Sequence, residues 1–176
     1  IQPRRQSEFD TVELFGKYLR TNVYSLSEPF DDSQETEEDN GIVPEDITSS
    51  VPNEVLSNEV KLLDDYKLFD HGNYTVYFTP ADVIPNMMLE IGRQREITFR
   101  QVGEGTNQDI DTDKFDTYYR HMFVWDNTEQ LLVGAYRVGM GREIMDKYGI
   151  SGFYTDTLFK LSNKIGEIMG RTLELG

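Results

Sequence analysis

The chain has 176 residues, 38% of them hydrophobic and 12% aromatic, and carries a formal net charge of -15. That length suits one ordinary domain with a sizeable core, and the acidic balance argues against a nucleic-acid footprint, which requires a basic patch or stripe. Cysteine is absent and His71 and His121 are the only histidines, which excludes disulfide frameworks, thiolate metal sites, cysteine nucleophiles and His-rich metal sites.

No stretch approaches the roughly 18 consecutive apolar residues of a membrane span, and the first residues lack the features of a secretory signal. A cytoplasmic location is the expectation. The opening Ile1-Gln2-Pro3-Arg4-Arg5 has neither an initiator Met nor apolar periodicity and reads as a cut end. From Ser7 to Arg20, Phe9, Val12, Phe15 and Leu19 recur at helical spacing, with Ser7 or Asp10 available as a cap. Thr21 through Glu59 contains no Lys or Arg and eleven acidic residues. Such a block reads as a solvated linker or loop, with an acidic docking strip for a basic partner as the alternative.

Asn53 to Tyr66 reads as a helix with Val55, Leu56, Val60, Leu62 and Leu63 on its apolar face. Leu68 and Phe69 follow, then Asp70-His71-Gly72-Asn73 as a turn and Tyr74 to Phe78 as a β-favouring run. Thr79-Pro80-Ala81-Asp82 has the form of a helix start, with Thr79 as N-cap, Pro80 at N1, and a staple between Phe78 and Val83. Pro85 then predicts a kink or restart near Asn86. Met87, Met88, Ile91, Arg95, Thr98 and Phe99 carry the helix to about Arg100, with the two Met as core packing.

Gly103-Glu104-Gly105-Thr106 opens a loop through Asp113. Asp109, Asp111 and Asp113 alternate as in part of a calcium loop, but Lys114 and Arg120 stand where its Gly and Glu belong, so an ion site is not expected. Met122 to Asp126 and Leu131 to Val138 predict an antiparallel hairpin closed by Asn127-Thr128-Glu129-Gln130. Arg137 within the second strand demands a buried acid partner or an anionic ligand. A helix at Arg142 to Tyr148, another at Ser162 to Met169, and a strand at Arg171 to Leu175 complete the pattern. The succession is an α/β class, α+β by some schemes, with a largely antiparallel sheet.

The runs Ile91 to Thr106, Asp113-Lys114-Phe115-Asp116, Phe123-Val124-Trp125-Asp126, Val133-Gly134-Ala135-Tyr136-Arg137, Gly152-Phe153-Tyr154 and Leu173-Glu174-Leu175-Gly176 closely resemble the bacterial ornithine-lipid-type N-acyltransferases. Those enzymes belong to the GNAT superfamily, are related to acyl-homoserine lactone synthases, and include proteins labelled hemolysins. The resemblance covers about Tyr74 to Gly176. It implies a GNAT-like three-layer fold whose second half lies beyond Gly176. The implied organisation is a helical prefix and acidic linker over 1–60 and the N-terminal portion of the transferase domain over 61–176. In two-domain members a glycerolipid acyltransferase domain stands upstream, which implies lipid biosynthesis and peripheral contact with the inner face of the membrane.

The implied activity is transfer of a long acyl chain from a thioester, on acyl carrier protein or coenzyme A, to the α-amine of an amino acid such as ornithine or glycine. No tightly bound cofactor is implied. By resemblance Glu174 is the proton acceptor, Asp116 orients the acceptor ammonium or pairs with an Arg, and Arg95 and Arg137 hold a carboxylate or stabilise the acidic cluster. Asp113, Phe99, Trp125, Phe153 and Tyr154 are the substrate-binding set.

Each residue has a quieter reading. Arg95 could bridge to Glu104 or Asp116, Arg137 could lock onto Asp113 or Asp116, and Glu174 could be a partly exposed strand residue. Trp125 and Phe153 could be core rather than acyl-pocket wall, and Tyr118 and Tyr119 pocket mouth or rim. His121 titrates near neutrality but reads as structural. Arg93, Arg100, Arg120 and Arg142 are the candidates for a local basic patch toward a carrier protein. The non-catalytic alternative is an acidic domain with an apolar cleft for a peptide or lipid; a homoserine-lactone-type synthase is a third.

Overall fold

The β-favouring run becomes β2, Tyr74–Pro80, in a computed structural model that describes residues 43–176. The helix expected over Ser7 to Arg20 and the acidic residues before Val43 lie outside the described residues. β2 is flanked by β1, Lys67–His71, and β3, Arg120–Asp126; β4, Leu131–Met140, and β5, Leu173–Leu175, complete a sheet of order β1-β2-β3-β4-β5. All its pairings are antiparallel. The hairpin between β3 and β4 forms as expected. β1 was hidden because each of its residues is exposed, leaving no alternation to read.

The expected helix over Asn53 to Tyr66 is shorter. Helix α1 spans Asn53–Val60, then tightens through bonds from Leu62 N to Glu59 O and Leu63 N to Val60 O, both 3.0 Å. Leu56, Val60 and Leu63 are buried at i, i+4, i+7 spacing, whereas Val55 and Leu62 face outward. Ahead of α1 the chain is tied down rather than free. Glu45 N donates to Asn107 O at 3.0 Å, Thr48 N to Asp109 O at 2.9 Å, and Val51 N to the Glu90 carboxylate at 3.1 Å. The described residues Val43–Gly176 thus form one compact unit.

Helix α2, Pro85–Gln101, starts later than the Thr79-Pro80 signature suggests. β2 runs through Pro80, and Ala81–Val83 make only a 3₁₀ turn. Pro85 then occupies N1, where its missing N–H costs nothing, so of the kink or restart expected near Asn86 it is the restart that forms. The cap comes from another element. The Glu59 carboxylate accepts from Asn86 N at 2.9 Å and Met87 N at 2.7 Å, placing an anion on the helix start.

Helices α1 and α2 pack Leu56, Val60, Leu63, Ile84, Met87 and Ile91 against Tyr77, Phe123 and Trp125 of the sheet. Tyr77 and Phe123 stack with centroids 5.2 Å apart. A second cluster joins Phe115, Tyr119 and Phe153 to Ile144 of helix α3, Gly141–Tyr148. Short helices α4, Thr155–Leu158, and α5, Gly166–Met169, follow; the latter with a preceding 3₁₀ turn replaces the single helix expected over Ser162 to Met169. Gly166 sits where that helix breaks, in keeping with the poor helix propensity of glycine. No helix among the described residues is long and apolar enough to cross a membrane.

Candidate active site

The site is built where α2 meets the loop before β3. Gly92 is the enabling residue: a Cβ there would lie 2.6 Å from the Thr112 methyl and 3.0 Å from Asp111 O. Its absence lets Asp111 N bond Gly92 O at 3.2 Å and brings the Asp111 carboxylate to Arg95, one turn along the helix, at 3.0 Å. Asp113 and Asp116 are pinned by their own backbone in a reciprocal capping box over the 3₁₀ turn Lys114–Thr117. The Asp113 carboxylate accepts from Phe115 N at 2.7 Å, and that of Asp116 from Asp113 N at 2.8 Å.

Both arginines converge on that turn. Arg95 reaches Asp116 at 2.9 Å, while Arg137 reaches Asp113 at 2.8 Å and Asp116 at 3.2 Å. The Arg137 guanidinium also lies 5.1 to 5.7 Å from the ring centroids of Tyr154, Tyr119 and Phe115. Only its Nη1 meets a carboxylate; Nε and Nη2 have no acceptor among the described residues. Every fully enclosed side-chain nitrogen or oxygen among those residues does have a partner, so these donors remain open. Burial alone would push Asp113 up, but the Arg137 bond and charge outweigh it and hold its carboxyl below the ordinary range. Asp111 is raised, because burial outweighs the neighbouring Arg95.

Arg95, Phe99, Asp113, Arg137 and Tyr154 line a groove of about 930 Å³ between α2, the 104–113 loop and the outer stretch of β4. Its remaining walls include Leu132, Val133, Ala135 and Tyr136, with His121 contributing from β3. Asp116 lies beneath it, 4% exposed. Trp125 and Phe153 do not reach it: Trp125 packs with Tyr77 and Phe123, and Phe153 with Phe115 and Tyr119. They are core residues, because Trp125 alternates onto the face that α1 and α2 cover, and Phe153 is sealed under α3.

Glu174 is deeply engaged. Its carboxylate accepts from Thr155 N at 2.7 Å, from Tyr154 N at 3.1 Å, and from the Tyr119 and Thr155 hydroxyls. Burial pushes this carboxyl up, but the four donors prevail and hold it below the ordinary glutamate range, which makes it a weak base. Glu174 thereby clamps the start of α4 against β5.

Two contributors escaped the sequence reading. Asp111 looked like one of three alternating acids. Glu96, given no role from the sequence, is fully buried and accepts from Arg100 Nε at 2.9 Å, Thr106 N at 3.0 Å and Asn107 N at 2.9 Å. Arg100 extends the clamp to Glu45 O at 2.8 Å and Gln108 O at 2.6 Å. The helix glycine at position 92 was the one legible sign of a close loop. Of the four arginines considered for carrier docking, Arg93, Arg100 and Arg120 pair with Glu90, Glu96 and Glu143; Arg142 has no carboxylate partner among the described residues.

Residues 94–176 match the family model described as an acetyltransferase (GNAT) domain. The chain is 33% identical over 137 residues to a glycine N(alpha)-acyltransferase of Bacteroides thetaiotaomicron, covering 75% of this chain and 41% of that protein. A second, from Phocaeicola vulgatus, is 31% identical over 137 residues, covering 75% of this chain and 42% of that protein. The chain is related to glycine N-acyltransferases, and its residues 94–176 to the GNAT domain. It spans about two fifths of the length of these curated relatives. No solved structure matches it. The antiparallel sheet flanked by helices agrees with the GNAT-like fold expected, whereas neither relative carries an ornithine or homoserine-lactone name.

The charge pattern predicts acid sensitivity. Burial raises Glu90, Glu96, Asp113 and Glu174, yet hydrogen bonds and arginine partners leave all four below their ordinary values. The unfolded chain therefore binds protons first as pH falls, so the stability they contribute is complete above the ordinary carboxylate values of 3.8 to 4.5 and disappears as pH drops through the depressed folded values. Asp111, raised, opposes the trend alone within this set. Urea midpoints at successive pH values should fall steeply below about pH 4.5. Midpoints unchanged down to about pH 3 would contradict the assigned network.

Proposed function

We propose that the chain forms the acceptor-binding part of an N-acyltransferase that moves a long acyl chain from a thioester to the α-amine of glycine. The observation that carries this reading is Arg137: buried, held by two aspartates beside three aromatic rings, with open donors in the wall of a groove that combines charged and apolar side chains. Such a guanidinium suits the carboxylate of an amino acid. Asp111, Asp113 and Asp116 against Arg95 and Arg137 leave one excess negative charge, which favours an ammonium beside it. Phe99, Leu132, Val133 and Tyr136 offer apolar surface for an acyl chain.

The names of the two relatives favour glycine over ornithine as acceptor. The donor is a coenzyme A or acyl carrier protein thioester. The pairing of Arg93, Arg100 and Arg120 leaves little local positive charge for an acidic carrier, which favours coenzyme A. Glu174 acts as a positioning residue that fixes Tyr154 beside Arg137. A cytoplasmic enzyme meeting its acyl donors at the inner membrane face, with a glycerolipid acyltransferase domain upstream, suits this chemistry.

The full-length protein incubated with palmitoyl-coenzyme A, or the matching carrier-protein thioester, and an equimolar pool of amino acids should yield N-acylglycine by mass spectrometry. Arg137→Lys should raise KM for glycine by at least about tenfold, since a point charge replaces a planar fork. Thioester that persists with every acceptor and both donors would sink the reading.

A further inference from the structure

We propose that His121 is the base of this reaction, accepting the proton of the acceptor's α-ammonium on Nδ1. The assignment rests on the N-acyltransfer reading and on three features of β3. First, the tautomer is dictated by the backbone. His121 Nε2 lies 2.9 Å from Asp116 O, and a carbonyl only accepts, so Nε2 carries the proton and Nδ1 carries a lone pair. Second, that lone pair is unpaired in a residue of the groove wall. The residue is 1% exposed, Nδ1 has no hydrogen-bond partner among the described residues, and every fully enclosed side-chain nitrogen there has one. Nδ1 is therefore not fully enclosed, and His121 is among the residues that line the groove.

Third, the neighbours hold the ring neutral and the substrate near. His121 pairs across the strands with Arg137, whose open donors suit the carboxylate of an α-amino acid; the amine two bonds from that carboxylate then falls beside the ring. The groups around it are Arg137 from β4, Arg95 from α2, Asp116 and Asp113 from the turn before β3, and the uncharged Thr79 of β2. Burial, the largest influence, lowers the imidazole below its ordinary 6.5, the two arginines act in the same direction, and Asp116 opposes them. The ring is therefore neutral at pH 7. Glu174, by contrast, has its carboxylate saturated by four donors.

The step balances as follows. The ammonium gives one proton to Nδ1 and the freed nitrogen pair attacks the thioester carbonyl carbon. The C–S bond then breaks with its electrons on sulfur, and a second nitrogen proton leaves with the thiolate as thiol. Amide, free thiol and a proton on imidazole result, and the imidazolium returns its proton to water.

His121→Gln is the decisive variant, because its Nε2–H can still donate to Asp116 O while no basic nitrogen remains. Expected for the full-length protein is a kcat at least about 100-fold below wild type, with little change in KM for thioester, and loss of the acidic limb that wild-type kcat/KM shows below about pH 6.5. A variant within about threefold of wild-type kcat and keeping that limb overturns the assignment. Nitrogen NMR of wild type is the second measurement and holds even if the variant misfolds or wild type acylates nothing. An Nε2–H ring whose Nδ1 resonance moves on adding glycine supports the role, and an Nδ1–H ring or an unmoved resonance overturns it. Absence of N-acylglycine from wild type, by contrast, removes the transferase reading, so the two failures are distinct.

Discussion

Asp116→Ala is expected to destabilise the domain by about 4 kcal/mol, the cost of removing one member of a buried charge network and stranding the others. The side chain is 5% exposed and accepts from Arg95 at 2.9 Å, Arg137 at 3.2 Å and Asp113 N at 2.8 Å. Alanine would leave Arg137 with Asp113 alone and Arg95 with Asp111 alone, and would open the capping box that shapes the turn. Asp116→Asn keeps the volume and one acceptor oxygen but removes the charge, and should cost about half as much. Urea midpoints at unchanged slope read both values. A double variant with Arg137→Met should lose less than the sum of its parts, because each single change already breaks the shared contact. An alanine variant within about 0.5 kcal/mol of wild type would mean that the network does not hold the turn.

How far this site can be read from sequence depends on where each partner stands in the chain. The β3–β4 hairpin was legible because alternation, β-branched residues and a four-residue polar loop all lie within one short window. The body of α2 was legible from Met87 and Ile91, but its start was not. The Thr79-Pro80 signature is a good local cap, and it loses to Glu59, which reaches Asn86 and Met87 from a different helix. Glu174 shows the same limit: its donors come from positions 119, 154 and 155, and nothing near it predicts a saturated carboxylate. The Arg95, Arg137, Asp113 and Asp116 grouping came from resemblance, and the geometry brings all four together. Trp125 and Phe153 carry the residue type of a pocket wall and the burial of a core, which only the packing distinguishes.

Gly141→Ala is expected to cost about 3 kcal/mol or more and to release Glu174 from its turn. A Cβ at position 141 would lie 2.1 Å from Met169 O and 2.5 Å from Thr172 O, both backbone atoms that cannot rotate away. Gly141 N donates to Thr172 O at 3.0 Å, so the same residue ties the start of α3 to the start of β5. Relief of the clash requires the 169–172 turn to retreat. β5 pairs with β4 through Leu173, Glu174 and Leu175, and Gly176 exchanges two backbone bonds of 2.9 Å with Arg137, so with the far end held a retreat of the strand's first residue tilts the Glu174 carboxylate away from Tyr154 and Thr155. Those two amides should then exchange hydrogen faster in the variant than amides of the β2–β3 ladder. Gly134→Ala is the control, since a Cβ there meets nothing within 4 Å and the strand tolerates alanine. Equal urea midpoints for the two variants would show that the 169–172 turn yields without strain, and that β5 is held to the sheet by something other than this close approach.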